Sequence, residues 1–368
     1  MALLGHSGSQ APQLMHSSVM MMAMWWWLLL HKDTDLLMDT RLKNLEVLGK
    51  ALAEMVQDQE LLAQARAKNA WFTPAFVQRS LEGWAHALRP EALAIWATQR
   101  GTPPLVAGKT PLIVGVLCAG NLPLVGLHDI LMGYLAGLRV HYKPSSEDAV
   151  VLPAVVKKLL SLDATAQLIQ VEKMTQIDAL LATGSDNTLR YFRHYFGHIP
   201  HVLRGSRTSV AVLTGQETEE DMAGLSEDIF SYFGRGCRSV THVFVPQDFD
   251  IQRLFAAWYG WGHLAEHARY GSNYDYHRAL FMLNKEPFLE NNFALLREHA
   301  SLKPPVGVVH MTRYPTKESV DTLLSAQKEA LQTIVGHGYA TAFGQSQWPE
   351  LWDFADQMDT YAFLMSLD

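Results

Sequence analysis

The sequence is poor in cysteine. Its 368 residues include only two, Cys118 and Cys237, which lie far apart and in segments of different kinds. Domains that depend on disulfides contain more cysteines at closer spacing, so the sequence argues against a disulfide framework. The scarcity favours a reducing, cytoplasmic setting.

The chain also lacks an excess of positive charge. Its formal net charge is −7 and its pI is about 6.1. Neither value gives an electrostatic reason to bind nucleic acid or an anionic membrane surface, so we expect neither as a partner.

A transmembrane span is not expected either, because crossing a bilayer takes about 20 apolar residues. The run Val19–Leu30 has 12, and no Lys or Arg precedes it as a secretory signal would require. It fits a surface anchor, a helix packed on the body, or translated sequence upstream of the true start. The amphipathic pattern that opens at Met38 favours the last, so residues 1–37 are treated as an N-terminal extension without catalytic residues.

Length and a hydrophobic fraction of 48% indicate two domains with a large core. From Leu42 to about Arg100 the apolar residues follow helical spacing, and Thr73 before Pro74 predicts an N-cap. Gly101–Leu105 has the composition of a linker.

After the linker, strands and helices alternate. Leu112–Cys118 is a continuous apolar run, typical of a strand buried on both faces. The alternation predicts a parallel sheet covered on both faces, with strands at 112–118, 139–144 and 168–171, and helices through 138, at 149–162, at Lys173 and at 190–196. Ligands bind beyond the carboxyl ends of such strands, where the polar loops are Gly120-Asn121, Lys143–Ser146 and Thr183–Ser185.

One stretch carries the strongest chemical signal. Gly234 and Gly236 break a helical run and place Cys237 on a tight turn that leads into an apolar strand. Positive charge from Arg235 and Arg238 would favour the thiolate, as a nucleophile requires. The alternative is a small buried cysteine beside a turn.

No G-x-G-x-x-G motif follows the first strand, so a nicotinamide cofactor would need another binding mode. Lys143, with Ser145 and Ser146 behind Pro144, offers a cation and hydroxyls suited to a ribose or its phosphate. The alternative is a solvated lysine at a strand end.

Three histidines fall at helical spacing, at His194, His198 and His201. Gly197 and Pro200 interrupt the helix between them, so we predict structural or surface histidines and no metal site.

Several motifs in order resemble the aldehyde dehydrogenase superfamily. They are Ala119-Gly-Asn121-Leu-Pro123, Val140-His-Tyr-Lys143-Pro-Ser-Ser146, Thr183-Gly184-Ser185 and Gly234-Arg-Gly-Cys237. A narrower resemblance, from about Met38 to the end, is to bacterial fatty acyl-CoA reductases, the family of the aldehyde-supplying enzyme of bioluminescence. Its motifs are 120–129, 204–213, 228–238, Phe343-Gly-Gln-Ser-Gln-Trp-Pro349 and Phe354-Ala-Asp-Gln-Met-Asp-Thr360.

The resemblance implies an α/β fold of the aldehyde dehydrogenase type, with a Rossmann-type parallel-sheet cofactor lobe, an α/β catalytic lobe and an active site between them. Residues 38–203 would form the helical N-terminal part and the NADP-binding lobe, and 204–343 the catalytic lobe. Residues 344–368 would return to the cofactor lobe.

The resemblance also implies roles for individual residues. Cys237 is similar to the catalytic nucleophile, and Asn121 to the amide that helps to hold the oxyanion. Lys143, with Ser145 beside it, resembles the contact to the adenosine ribose. The turn beneath the pyrophosphate would be formed by Gly184 and Ser185.

The implied activity is NADPH-dependent reduction of a medium- or long-chain fatty acyl-CoA to a fatty aldehyde, through a thioester on the cysteine. Coenzyme A enters as part of the substrate, and a homo-oligomer is compatible with the family.

One departure from the oxidising dehydrogenases favours reduction. Those enzymes place a water-activating glutamate where this sequence has Leu203, and a reductase gains by excluding water from its thioester. Two alternatives stay open. A thiol-dependent acyltransferase or thioesterase would use the same cysteine without a nicotinamide, and a hydrolytic aldehyde dehydrogenase would require a carboxylate near the cysteine, which the sequence does not place.

Overall fold

The structure, a computed structural model, describes residues 37–100 and 112–367. The N-terminal extension up to residue 36 and the predicted linker Gly101–Leu105 lie outside these ranges. Across both ranges, no helix is long and apolar enough to cross a membrane.

The first described range is helical, as its apolar spacing predicts. It contains α1 (37–55), α2 (Gln59–Lys68), α3 (Pro74–Ala87) and α4 (Pro90–Arg100). The Thr73 side chain accepts a hydrogen bond from the Phe76 N–H, and Pro74 lies in the first turn of α3, so the predicted cap is confirmed.

The second range begins with a parallel sheet. Its strands are β1 (Ile113–Leu117), β2 (Arg139–Lys143), β3 (Leu168–Gln170), β4 (Ala179–Thr183) and β5 (His201–Arg204), and its helices are α5 (Leu127–Leu135), α6 (Val151–Leu162) and α7 (Asp186–Phe196). The strand order is β3-β2-β1-β4-β5, and every neighbouring pair is parallel. The chain therefore reverses its direction of travel across the sheet between β1 and β4, which is where ligands bind in open sheets of this type.

The helix predicted at Lys173 is wrong. Residues 171–178 form an irregular connection between β3 and β4. Met174 and Ile177 pack so closely over Gly115 of β1 that a Cβ there would lie 2.7 Å from a side-chain atom of each. Packing on the sheet thus fixes this segment, and apolar spacing over so few residues does not reveal it.

A second sheet contains the remaining strands. They are β6 (Thr208–Val212), β7 (Val240–Pro246), β8 (Leu289–Glu290), β9 (Leu295–Glu298), β10 (Val308–Tyr314) and β11 (Leu331–Val335), and the helices among them are α8 (Glu219–Phe230), α9 (Gln252–Trp258), α10 (Ala268–Leu283) and α11 (Lys317–Ala326). The order is β11-β6-β7-β10-β9-β8, with only the β8–β9 pair antiparallel. The predicted α/β class with parallel sheets is confirmed.

The C-terminal residues pack back onto the first sheet. The last helix, α12 (Thr360–Met365), contacts α5, and Leu351, Tyr361 and Leu364 join the apolar core on that side. The segment between β11 and α12 consequently crosses from the second sheet to the first.

A buried ion pair ties β5, α5 and α12 together. Arg204 is 2% exposed and donates hydrogen bonds to Asp129 Oδ2 at 2.7 Å and to Thr360 Oγ1 at 2.5 Å. Burial alone would raise the pKa of the Asp129 carboxyl, but the charges and hydrogen bonds of Arg204 and His128 together outweigh it, and the pKa falls to about 2. The carboxylate form is therefore the one that the fold stabilises.

Replacing Asp129 by Ala should cost about 3–5 kcal/mol in the free energy of unfolding, because it leaves the Arg204 guanidinium buried without its partner. Urea unfolding followed by circular dichroism measures the loss. Part of the lost stability depends on pH, because the pKa of Asp129 in the folded protein lies below the unfolded value of about 3.9. The wild type therefore loses the stability that the Asp129 carboxylate contributes as pH falls through about 2, and the variant, which lacks that carboxylate, does not.

The exposed ion pair of Glu46 and Lys50 on α1 is the matched control. Glu46→Ala should cost less than about 1 kcal/mol, as is usual for a surface pair. A loss of that small size for Asp129→Ala would contradict the role assigned to the buried pair.

Candidate active site

The turn before the cysteine has an unusual backbone conformation. Directly after α8, Tyr232, Phe233 and Gly234 have φ angles of 55°, 60° and 69°. Residues other than glycine rarely adopt positive φ, and doing so costs on the order of 1–3 kcal/mol each. Packing against α3 holds them, since the Phe76 ring lies 5.2 Å from the Tyr232 ring and 4.9 Å from the Phe233 ring, centroid to centroid.

The structure brings Asn121 against this turn. The Asn121 Nδ2 group donates to the Arg235 backbone oxygen at 3.0 Å, and Arg235 Nη1 donates back to the Asn121 backbone oxygen at 3.4 Å. A Cβ at Gly236 would lie 2.9 Å from Leu122 Cδ1, so the absence of a side chain permits this approach. The loop after β1 and the turn that carries Cys237 therefore form one unit.

The Cys237 thiol is exposed at the wall of a cavity, yet protein atoms surround it closely enough that burial raises its pKa. The Arg238 charge opposes the rise and the Asp356 charge adds to it, while the N–H groups of Cys237 and Arg238 favour the thiolate. Arg235 lies instead over the Trp71 ring, 4.4 Å from its centroid. Of the two arginines predicted to favour the thiolate, Arg238 does so, whereas Arg235 is not among the charges that act on Cys237, and burial outweighs Arg238.

The carboxylate of Asp356, in the C-terminal segment, is one of the charges that raise the pKa of the Cys237 thiol. Asp356 is buried with a φ of 56°, and its Oδ1 lies 3.3 Å from Arg207 Nε. Its backbone N–H donates to Gln332 Oε1 at 2.9 Å. Burial raises the pKa of the Asp356 carboxyl, and the Arg207 charge opposes the rise. The sequence alone did not place this carboxylate beside the site.

Cys237 opens into a cavity of about 190 Å³, bounded by α3, the loop after β1 and the C-terminal segment. Most of its wall is apolar. The lining residues are Arg79, Ser80, Gly83, Trp84 and Ala87 from α3, Leu122–Val125 and His128, Tyr232, Cys237 and Arg238 from the cysteine turn, and Gln332, Gln347, Pro349, Glu350, Leu351, Asp353 and Ala355. A larger cavity of about 350 Å³ beside α11 and β11 contains none of the predicted site residues.

The predicted cofactor residues lie at the carboxyl edge of the first sheet. Lys143 ends β2 and is exposed, and its ammonium group has no hydrogen-bond or ion-pair partner among the described residues. Ser145 begins the next turn, and a Cβ at Gly120 would lie 2.4 Å from its Oγ, so the loops after β1 and β2 touch. Gly184 follows β4, and the Ser185 side chain caps α7. All four residues therefore lie at the carboxyl edge of the sheet, near the point between β1 and β4 where the strand order reverses.

The chain matches a family of known proteins. A model of the acyl-CoA reductase (LuxC) family matches residues 50–254, more than half of the chain. The chain belongs to the acyl-CoA reductase (LuxC) family. No curated protein matches it.

Several solved structures of other proteins have a fold similar to that of this chain. Aldehyde dehydrogenase 21 from Physcomitrella patens, in complex with the product succinate, is similar at a TM-score of 0.59 and 12% identity, over 91% of this chain and 88% of that one. An indole-3-acetaldehyde dehydrogenase in complex with NAD+ is similar at a TM-score of 0.60 and 11% identity, over 82% of this chain and 72% of that one. An oxidoreductase from Marinobacter aquaeolei is similar at a TM-score of 0.57 and 15% identity, over 77% of this chain and 70% of that one. The LuxC-family chain thus has the aldehyde dehydrogenase fold, as predicted.

Replacing Asp356 by Asn should lower the pKa of the Cys237 thiol, because it removes a negative charge that disfavours the thiolate. Asn tolerates the left-handed backbone at this position, so the turn is kept. The rate of alkylation by iodoacetamide as a function of pH measures the shift, and its midpoint should move to lower pH. Arg238→Gln should move it to higher pH.

Asp359→Asn is the matched control, since Asp359 caps α12 in the same segment and is not among the charges that shift the pKa of Cys237. Burial holds the pKa of Cys118 far above its usual value, so that thiol should stay silent. An unchanged or raised midpoint in Asp356→Asn would show that its carboxylate does not act on Cys237.

Proposed function

We propose that this LuxC-family protein reduces a medium- or long-chain fatty acyl-CoA to the fatty aldehyde with NADPH, through a thioester on Cys237. The proposal is carried by one observation: the Cys237 thiol faces a cavity with mostly apolar walls. Cavities that hold drug-sized ligands measure about 300–1,000 Å³. At about 190 Å³ this cavity is below that range, so coenzyme A would stay outside, while the apolar wall suits the part of an alkyl chain next to the thioester.

The first step is acyl transfer to the protein. The deprotonated Cys237 sulfur attacks the thioester carbon, the bond from that carbon to the coenzyme A sulfur breaks, and coenzyme A leaves. Asn121 Nδ2, which is already bonded to the cysteine turn, and the Cys237 N–H would donate hydrogen bonds to the carbonyl oxygen as it gains negative charge. Since burial raises the pKa of the thiol, acylation should quicken as pH rises.

The carboxyl edge of the first sheet fits a dinucleotide. Lys143 offers an exposed ammonium without a partner in the described ranges, suited to a ribose or its phosphate. Ser145, Gly184 and Ser185 would hold the rest of the cofactor beside it. When bound, NADPH supplies the hydride that turns the thioester into an aldehyde. The residues of this chain then need only keep the acyl group on Cys237 and shield it from water.

Two observations favour reduction over hydrolysis. The position at which oxidising dehydrogenases carry their water-activating glutamate is Leu203, a half-buried residue of β5. The carboxylate that does approach Cys237, that of Asp356, is buried and lies beside the Arg207 guanidinium. A carboxylate that is buried and engaged by a guanidinium is poorly placed to activate water, so the thioester persists until reduction.

Incubation with hexadecanoyl-CoA, first without and then with NADPH, tests the function. Intact mass should show one acyl group on the wild type and on Cys118→Ala, and none on Cys237→Ala. Aldehyde should form only after the nucleotide is added, and Cys237→Ala should lower its rate by more than about 1,000-fold, as loss of a nucleophile does.

Acylation that survives Cys237→Ala would remove the proposed nucleophile. Release of free fatty acid from the wild type without nucleotide would assign the cysteine to a thioesterase instead. Fatty aldehyde oxidised to the acid faster than the acyl-CoA is reduced would assign the protein to the hydrolytic dehydrogenases.

A further inference from the structure

Helix α3 presents one face to the cavity that Cys237 shares. Its lining residues Arg79, Ser80, Gly83, Trp84 and Ala87 follow the spacing of neighbours on one side of a helix. Across the cavity from this face lies the C-terminal segment, with Gln347 and Leu351 among its lining residues. Gly83 lies in the middle of this face.

Glycine is an unfavourable residue at this position. In the interior of a helix it costs about 1 kcal/mol relative to alanine, so its presence there calls for a reason. One common reason is a positive φ, but Gly83 is not among the positive-φ glycines of the described residues.

Close packing is the other common reason, and Gly83 does not show it. A Cβ at Gly83 would have Trp348 Cε3 at 3.9 Å and the Gln347 backbone oxygen at 4.0 Å as its nearest described neighbours, which is ordinary contact. Two other helical glycines differ. A Cβ at Gly49 would lie 3.0 Å from Leu88 Cβ, and one at Gly133 would lie 2.5 Å from Val140 Cγ2. Those two glycines permit contact that a Cβ would prevent, whereas a Cβ at Gly83 would fit without displacing its neighbours.

Gly83 lies along α3, away from the cysteine turn. The first half of α3 packs on that turn, through Phe76 against the Tyr232 ring. Gly83 lies about two turns further along α3, about 10 Å at 1.5 Å per residue. Beyond it the helix end meets the C-terminal segment, where Arg89 binds Glu350 through two hydrogen bonds. A chain attached to Cys237 and extending along α3 would pass Gly83 before reaching this polar end.

We propose that Gly83 sets the length of acyl chain that the cavity accepts, because it leaves the α3 wall of the cavity without a side chain at that position. This rests on the proposed function of Cys237 as the acyl acceptor. A larger residue at 83 would have to share the cavity with the distal part of a long chain, whereas a short chain would end before reaching it. The effect is therefore selective for chain length.

The test measures how fast Cys237 is acylated by hexanoyl-, decanoyl- and hexadecanoyl-CoA without nucleotide, using intact mass. Gly83→Leu and Gly83→Phe should slow acylation by hexadecanoyl-CoA at least about tenfold, since blocked methylene sites each cost about that much. Acylation by hexanoyl-CoA should stay within about twofold of the wild type. Gly83→Ala should raise the Tm, because alanine favours the helix, which shows that substitution here does not harm folding.

Glu82→Leu places the same new side chain on the exposed neighbour and should leave the chain-length profile unchanged. Equal slowing of all three thioesters by Gly83→Phe, or no slowing of the longest, would overturn the role of Gly83 while leaving Cys237 as the acceptor. A wild type that is acylated by none of them would overturn the proposed function. Calorimetric titration with free hexadecanoate then judges Gly83 alone, since Gly83→Phe should still weaken that binding at least about tenfold, and unchanged binding would refute it.

Discussion

The packing of α3 on the cysteine turn is the constraint on which the site depends. Tyr232 and Phe233 both adopt left-handed backbone conformations, which cost on the order of 1–3 kcal/mol each and persist only when surrounding contacts over-determine them. Phe76 supplies such contacts from α3, and both rings are buried. The same helix then continues as a wall of the cavity that Cys237 faces. One interaction therefore fixes both the direction of the nucleophile and the surface beside it.

The C-terminal segment closes the opposite side. The buried Asp228 carboxylate of α8 accepts hydrogen bonds from the N–H groups of Gly344 and Ser346, at 2.7 and 2.9 Å. This anchor positions the residues that follow, including Gln347 in the cavity wall. Burial raises the pKa of Asp228 to about 6, which reflects how far the anchor is withdrawn from water. The segment then carries Asp356 to the neighbourhood of Cys237 before ending as α12 on the first sheet.

The sequence predicted much of this fold because its signals are local. The continuous apolar run of β1, the cap at Thr73 and the glycines around Cys237 each specify structure through their immediate neighbours. The parallel sheet then placed Asn121, Lys143 and Ser185 on one edge by topology alone. Long-range packing explains what local signals missed. The segment around Met174 is irregular because it covers Gly115, and Asp356 acts on Cys237 from a distant part of the chain. The thiol's raised pKa escaped prediction for the same reason, since flanking arginines are visible in sequence but burial is not.

The central claim is that a fatty acyl group bound to Cys237 occupies the cavity between α3 and the C-terminal segment. A crystal structure of the protein acylated with hexadecanoyl-CoA, without nucleotide, tests it most directly. The account predicts continuous density from Cys237 Sγ along α3, passing Gly83 towards Trp348. Density for the chain on another residue, or leaving Cys237 for solvent with this cavity empty, would contradict it.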